Sequence, residues 1–355
     1  MNRILITISL LILYTIAFSQ IPPGYYDGTE GLSGDDLKSA LNDIIDGHTE
    51  LSYTGVWNAL RDTDEDPDNT NNVILLYTGW SVSNSGYPIW NREHTWAKSH
   101  GDFGNNPPCG TDVHHIRPTD VQVNGDRGNL DFDYSDNPYP TIPGCFYDGD
   151  SWEPRDEVKG DVARMIFYMA VRYEGENGEL DLVVVDEVNT YPNPEHGKLS
   201  ALLEWSVLDP PSIFEETRND RIYDNWQGNR NPFVDHPEFA DLIWEITSTQ
   251  SEYLTENIYN LSSYPNPFSQ NSAGTQINFN IPKNSQNVQL EIYNIKGQKV
   301  KQLVSSSASQ LSAGQHTIFW DGTDMKSCKV KTGIYFINLQ IDREIAVIKK
   351  CLVIH

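Results

Sequence analysis

From Tyr264 onward the chain alternates apolar and polar residues in successive runs (INFNI, VQLEIYNI, HTIFW, GIYFINLQI and IAVIKKCLVI), a period of two that suits strands and no helix. Turn signals at Lys296-Gly297, Ala313-Gly314 and Asp321-Gly322 separate these runs, so residues 264–355 are expected to form a small antiparallel β-sandwich. Residues 20–257 read differently. They are rich in Asp, Asn, Trp and Tyr, and helical periodicity over 36–45, 156–173 and 199–207 interleaves with short branched or aromatic runs at 72–78 and 180–185. The fold class expected is α+β, a mixed domain over residues 20–257 followed by a linker at 258–263 and then the sandwich.

The first residues, MNRILITISLLILYTIAFSQ, place Arg3 ahead of an apolar run that ends in Ala17 and Ser19 at signal-cleavage spacing. Residues 1–19 therefore read as a secretory signal. The competing reading, a retained membrane anchor, is disfavoured because a spanning helix needs roughly 20 apolar residues. In a secreted chain, four cysteines divided evenly between the halves suggest one bridge in each, Cys109 with Cys145 and Cys328 with Cys351. No CxxC pair occurs to favour a cysteine metal site.

Net charge is −25, the reverse of what a protein that coats nucleic acid carries. The sandwich segment is mildly basic, with ten Lys and Arg against five Asp and Glu, so the acidity belongs to the first domain. A local site with a bound divalent cation can still hold a phosphate within such a field.

Residues capable of chemistry concentrate in two blocks, NREHTWAKSH at 91–100 and DVHHIRPTDVQVNGDRGNL at 112–130, which hold four of the nine histidines. Phosphodiester hydrolysis needs a base of near-neutral pKa, a hard cation and cationic donors for developing charge. A neutral His, one carboxylate with one amide oxygen, and Arg meet those needs, and Mg²⁺ prefers oxygen ligands while keeping several waters. Glu93 and Asn124 are the natural ligand pair. One geometric condition applies: adjacent strand residues point to opposite faces, so the strand carrying Glu93 and His94 must end or bulge there. After Pro118 a helix can begin and deliver Asn124 to the same place.

These two blocks, EH in the first and DxHxxxPxxxxVNGDRGN in the second, resemble the endonuclease I family of secreted or periplasmic ββα-metal nucleases. The resemblance continues through DEVKGDVARMIFYMAVRYEG, LLEWSVLDPP and RNDRIYDNWQGNRNPFVDHP, covering most of residues 40–245. It implies a ββα-metal core, His94 as general base, Glu93 and Asn124 as ligands to a divalent cation (Mg²⁺, with Mn²⁺ or Ca²⁺ as alternatives), and Arg127 and Arg117 as phosphate contacts. DNA, RNA or both would be the substrate, cut to leave 5′-phosphate ends. For Arg127 an ion pair with Asp126 or Asp120 is the competing reading, and His115 is open between packing and a supporting hydrogen bond. Residues 264–355, through YPNPF, EIYNIKGQKV, LSAGQHTIFWDGTD and TGIYFINLQ, resemble the C-terminal sorting domains of type IX secretion. That implies outer-membrane secretion machinery as a partner and an extracellular or surface location on a Gram-negative cell; an immunoglobulin-like spacer or a carbohydrate-binding module is the competing reading of this segment.

Other features have plainer readings. Asp62, Asp64, Asp66 and Asp68 read as a solvated acidic turn, with Ca²⁺ binding as the alternative. Arg164 and Arg172 share one helix face, towards water or substrate; residues 227–236 are a candidate cover for the site; and Trp80, Trp90 and Trp96 read as core aromatics rather than base-stacking platforms. Two rival functions remain in view: a zinc hydrolase using His94, His100 and His114 or His115, and a surface-displayed nucleic-acid-binding protein without turnover.

Overall fold

The computed structural model describes residues 21–175, 178–244, 259–269, 274–281, 288–304, 312–341 and 345–354. The signal segment, residues 1–19, lies outside them. The chain divides into two compact units, residues 1–245 and 246–355.

Among the described residues of the first unit, six α-helices of seven residues or more accompany short strands: α1 (Gly34–Ile45), α2 (Val56–Thr63), α3 (Val121–Arg127), α4 (Lys159–Arg172), α5 (Leu199–Leu208) and α6 (Ile213–Arg221). Helix α1 is amphipathic. Its Leu37, Leu41 and Ile45 are buried at a spacing of four, and Asp35 and Asp36 sit in the first turn, where the positive end of the peptide dipoles favours them. Helix α4 is buried along all of its length, as befits a helix packed between others. The strands of 72–78 and 180–185 form only in part. The first is Asn69–Ile74, followed by a turn over 76–78, and the second is Val183–Val184, which pairs in parallel with Glu195–His196.

Buried ion pairs tie the helices together. Arg164 meets both carboxylate oxygens of Glu215 at 2.7 and 2.6 Å, and Arg172 pairs with Glu179 and Asp46. The α4 arginines thus face neither water nor substrate. Asp64 is fully buried beneath Arg117 and Arg218, Asp66 accepts from Ser81, and Asp62 accepts from Trp226. Asp62, Asp64 and Asp66 thus direct their carboxylates to separate protein partners, and with Asp64 and Asp66 buried the stretch is not the solvated turn expected. Residues 227–236 also depart from expectation. Gln227 binds Asp112, Asn229 donates to Ile45 O and Asn231 to Arg164 O, making this segment an internal strap rather than a cover. Trp90 and Trp96 are core residues, whereas Trp80 is half exposed. All four cysteines are free thiols, and Cys145 Sγ donates to the Tyr77 carbonyl instead of bonding Cys109.

The second unit is a two-sheet β-structure. One sheet orders Phe268–Ser269, Ile345–Ile354, Gly333–Ile341, Val288–Asn294 and Lys299–Val304; the other orders Ser262–Tyr264, Thr275–Ile281 and Gly314–Trp320. The alternation seen in the sequence becomes alternation of burial. Ile277, Phe279 and Ile281, with Val288, Leu290 and Ile292 and with Ile337, Leu339 and Ile341, are buried at every second position.

Candidate active site

The site is built on one hairpin and one helix. Trp90–His94 pairs antiparallel with Ile116–Asp120, with Glu93 opposite Arg117 and His94 opposite Ile116, and α3 follows at once. Trp90, Val113 and Ile116 seat this hairpin on a core completed by α2 residues Val56, Ala59 and Leu60. The Asp120 carboxylate accepts from the backbone N–H of Gln122 and Val123, capping α3 and fixing where it begins. Gly128, at φ +59°, ends it.

Strand alternation puts Asn91 and Glu93 towards α3. Asn124 Nδ2 donates to Asn91 Oδ1 at 2.8 Å, which orients the amide so that Asn124 Oδ1 is its remaining acceptor. Glu93 is buried, and both of its bonds fall on one oxygen: Tyr77 Oη donates to Oε1 at 2.8 Å and Arg127 Nη1 lies 3.3 Å from it. Oε2 is left for another partner. Burial raises the Glu93 carboxyl, with Arg127 and then Tyr77 opposing that shift, and burial beside Glu93 raises the Tyr77 phenol well above its usual value.

Arg127 is itself held at several points. It donates to His94 O at 3.1 Å, to Thr95 O at 2.8 Å and to His196 Nε2 at 3.1 Å. Because His196 Nε2 accepts, its proton is on Nδ1, which faces Asp131 Oδ1 and Gly197 O, each at 3.2 Å. A continuous chain therefore runs from Asp131 through His196 and Arg127 to Glu93.

His94 is the last residue of its strand and turns to the other side. Its Nε2 lies 3.1 Å from Gly110 O; a carbonyl only accepts, so Nε2 carries the proton and Nδ1 keeps a lone pair. Burial, then the neighbouring His115, lowers His94 well below its usual value, so the ring is neutral. Position 110 requires glycine, because a Cβ there would meet Gly104 O at 2.6 Å. Tyr53, Phe103 and His115 surround the ring.

The Endonuclease I family profile matches residues 33–238. The chain belongs to the endonuclease I family. Within this endonuclease I family chain, residues 266–344 separately match the FlgD Ig-like domain. The extracellular ribonuclease of Bacillus subtilis (strain 168) is 62% identical over 224 residues, which is 62% of this chain and 78% of that protein. The extracellular ribonuclease of Bacillus amyloliquefaciens is 61% identical over the same shares of each chain. Among solved structures, PorZ of Porphyromonas gingivalis aligns with 27% of this chain and 11% of its own at 15% identity and a TM-score of 0.20, too slight a likeness to argue from.

Of the residues singled out in this endonuclease I chain, Glu93, Asn124 and Arg127 gather on the α3 side of the hairpin, and His94 ends the same strand. Arg117 does not join them. It is buried and binds Asp64 and Asp161, so a phosphate contact from it gives way to a structural ion pair. Arg127 pairs with Glu93, not with Asp126 or Asp120. The proposed zinc set does not converge: His114 meets Asn229 O and the Tyr168 ring, and His115 meets Cys109 O. His100, Asp131 and His196 do lie with ligand-type atoms within 4.8 Å of one another. However, His100 Nε2 faces Asn129 O and so carries a proton, Nδ1 is met by Thr190 Oγ1 and Glu195 O, and Asp131 accepts from Thr190 and Gly197, so these atoms are already directed to protein partners. Sequence reasoning missed Tyr77, Asn91, Gly110 and His196; only Asn91, two residues before Glu93 on an alternating strand, carried a usable signal.

Proposed function

We propose that this protein is a secreted, divalent-metal-dependent endonuclease that hydrolyses RNA and DNA without sequence preference, leaving 5′-phosphate ends. The observation that carries the reading is the donor set: among the described residues, Glu93 and Asn124 each retain one oxygen that accepts no hydrogen bond, on the two elements of a ββα unit whose strand ends in a neutral His94. Two hard oxygens suit Mg²⁺, which keeps waters for its other positions. A cation held there would supply positive charge to the phosphate and to the departing 3′ oxygen.

The chain's own residues do the rest. His94 Nδ1 takes a proton from the attacking water, while Nε2–H on Gly110 O fixes the ring's tautomer and direction. Arg127 and Tyr77 hold Glu93 by one oxygen, so that carboxylate needs no rearrangement to act. Attack by water, with no 2′-hydroxyl involved, serves both nucleic acids, and the extracellular ribonuclease relatives support RNA as one substrate. The C-terminal sandwich is proposed to direct export through outer-membrane secretion machinery, a reading supported by its motifs.

The test is cleavage of plasmid DNA and of RNA by the mature protein in Mg²⁺, Mn²⁺ or Ca²⁺ and in excess chelator, with His94→Ala in parallel. Cutting should require metal and drop roughly 10²–10⁴-fold in the variant. Retention of nucleic acid without turnover under any cation would replace the nuclease reading with that of a binding protein.

A further inference from the structure

In an acidic protein the cations that bind a polyanion must be those not already neutralised. Fourteen Lys and Arg lie in the described residues of the first unit, and eleven of them sit within ion-pair distance of a carboxylate. Arg61, Arg92 and Lys98 are the three, among the described residues, that do not. They are also neighbours. Arg61 Cζ lies 5.9 Å from the Trp57 ring; Arg92 Cζ lies 4.6 Å from Trp57 and 3.4 Å from Tyr53; Lys98 Nζ lies 5.9 Å from Tyr53. The Tyr53 ring in turn is 6.0 Å from that of His94. The unpaired charges thus form a strip that leads to the base.

Their hydrogen-bond partners are neutral, and Lys98 feels the Glu93 carboxylate only from beyond ion-pair distance. Arg61 donates to Asn84 O and Asn58 Oδ1, Arg92 to Tyr53 O, and Lys98 to Asn105 Oδ1. Arg92 Nε is buried without any acceptor. Leaving a guanidinium partly buried with no carboxylate is costly unless something else offsets it; two aromatic faces do so in part, and a phosphate would complete it. At the Arg61 end a cleft of about 360 Å³ is lined by Thr54, Trp57, Asn58, Arg61, Ser85 and Tyr87. Tyr87 is 72% exposed, an aromatic ring offered to solvent beside a cation, the pairing that receives unstacked bases.

We propose that Arg61, Arg92 and Lys98 form the phosphate track along which a single-stranded polynucleotide approaches His94, and that the cleft between Trp57 and Tyr87 takes one of its bases. This rests on the nuclease reading and adds to it the substrate form and the subsites beyond the scissile bond. The track reads phosphate and stacking, so it serves DNA and RNA alike.

The test is equilibrium binding of fluorescent single-stranded DNA and RNA oligonucleotides to the mature full chain, by anisotropy in excess chelator across a KCl series. Each phosphate contact removed should lower the slope of log K against log[salt] by about 0.7. Arg61→Gln and Lys98→Gln should each do so, whereas Lys38→Gln, which removes a cation paired with Glu174, should leave the slope unchanged. Tyr87→Ser should weaken single-strand binding roughly tenfold and spare duplex binding. Slopes equal to wild type in Arg61→Gln and Lys98→Gln, the same loss in Lys38→Gln, or no binding by the wild-type chain at the lowest salt would each overturn the track. Cleavage in Mg²⁺ is scored separately. A protein that cuts with unaltered slopes refutes the track alone, and one that binds with the expected slopes but never cuts refutes the nuclease reading alone.

Discussion

Arg127 illustrates how one side chain can organise a site through several partners at once. Its guanidinium fork reaches Glu93, two backbone carbonyls at the strand end and His196, a task for which a point charge is a poor substitute. Arg127→Lys should therefore fold yet bind its cation less well. Outer partners of metal ligands typically account for roughly 10–100-fold in affinity or activity, and the half-saturating Mg²⁺ concentration for cleavage should rise by that order. An unchanged metal requirement in a folded variant would remove Arg127 from this role. His196→Gln, which breaks the link to Asp131, should shift the same requirement in the same direction.

At the scale of elements, α3 has only seven residues, and too short a helix holds its shape through caps and tertiary packing more than through propensity. Its Asp120 cap satisfies two N–H groups at the start, and Asn124 lies a turn further on. Asp120→Ala should cost about 1 kcal/mol of stability, read as a lower urea midpoint. It should also raise the metal concentration needed for cleavage, because Asn124 would lose its fixed distance from the hairpin. A stability loss with an unaltered metal requirement would show that packing alone places Asn124.

Across the whole first unit, several histidines are folded into places that refuse a proton. Burial lowers His114 to about 3 and His115 to about 4, and lowers His196 well below its usual value, with His100 and Arg127 adding to the last shift. Above about pH 6.5 neither folded nor unfolded chain protonates these rings, so they contribute no pH dependence. As pH falls below that, the unfolded chain takes up protons that the fold refuses, and stability declines by about 1.4 kcal/mol per pH unit for each group until its folded value is reached. Urea midpoints should therefore fall steeply between about pH 6.5 and 4. A flat profile over that window would mean that these rings reach water. His115→Asn should flatten the slope.

The helices at α1, α4 and α5, the β-rich C-terminal region, and the hairpin-then-helix order that carries Glu93, His94 and Asn124 were legible in the chain. Each depends on local periodicity, capping or turn chemistry, which act between residues close in the chain. Tertiary structure alone decided the fate of the charges. Arg117, Arg164 and Arg172 look like Arg61 and Arg92 in composition, but the former meet Asp64, Glu215 and Glu179 across 53, 51 and 7 residues respectively, while the latter meet aromatic rings. Likewise, whether Asp64 lies in water or beneath two guanidinium groups depends on α6 and the hairpin converging on it. Burial and ion pairing are relations between distant segments, and no local pattern in the chain encodes which cation finds a carboxylate first.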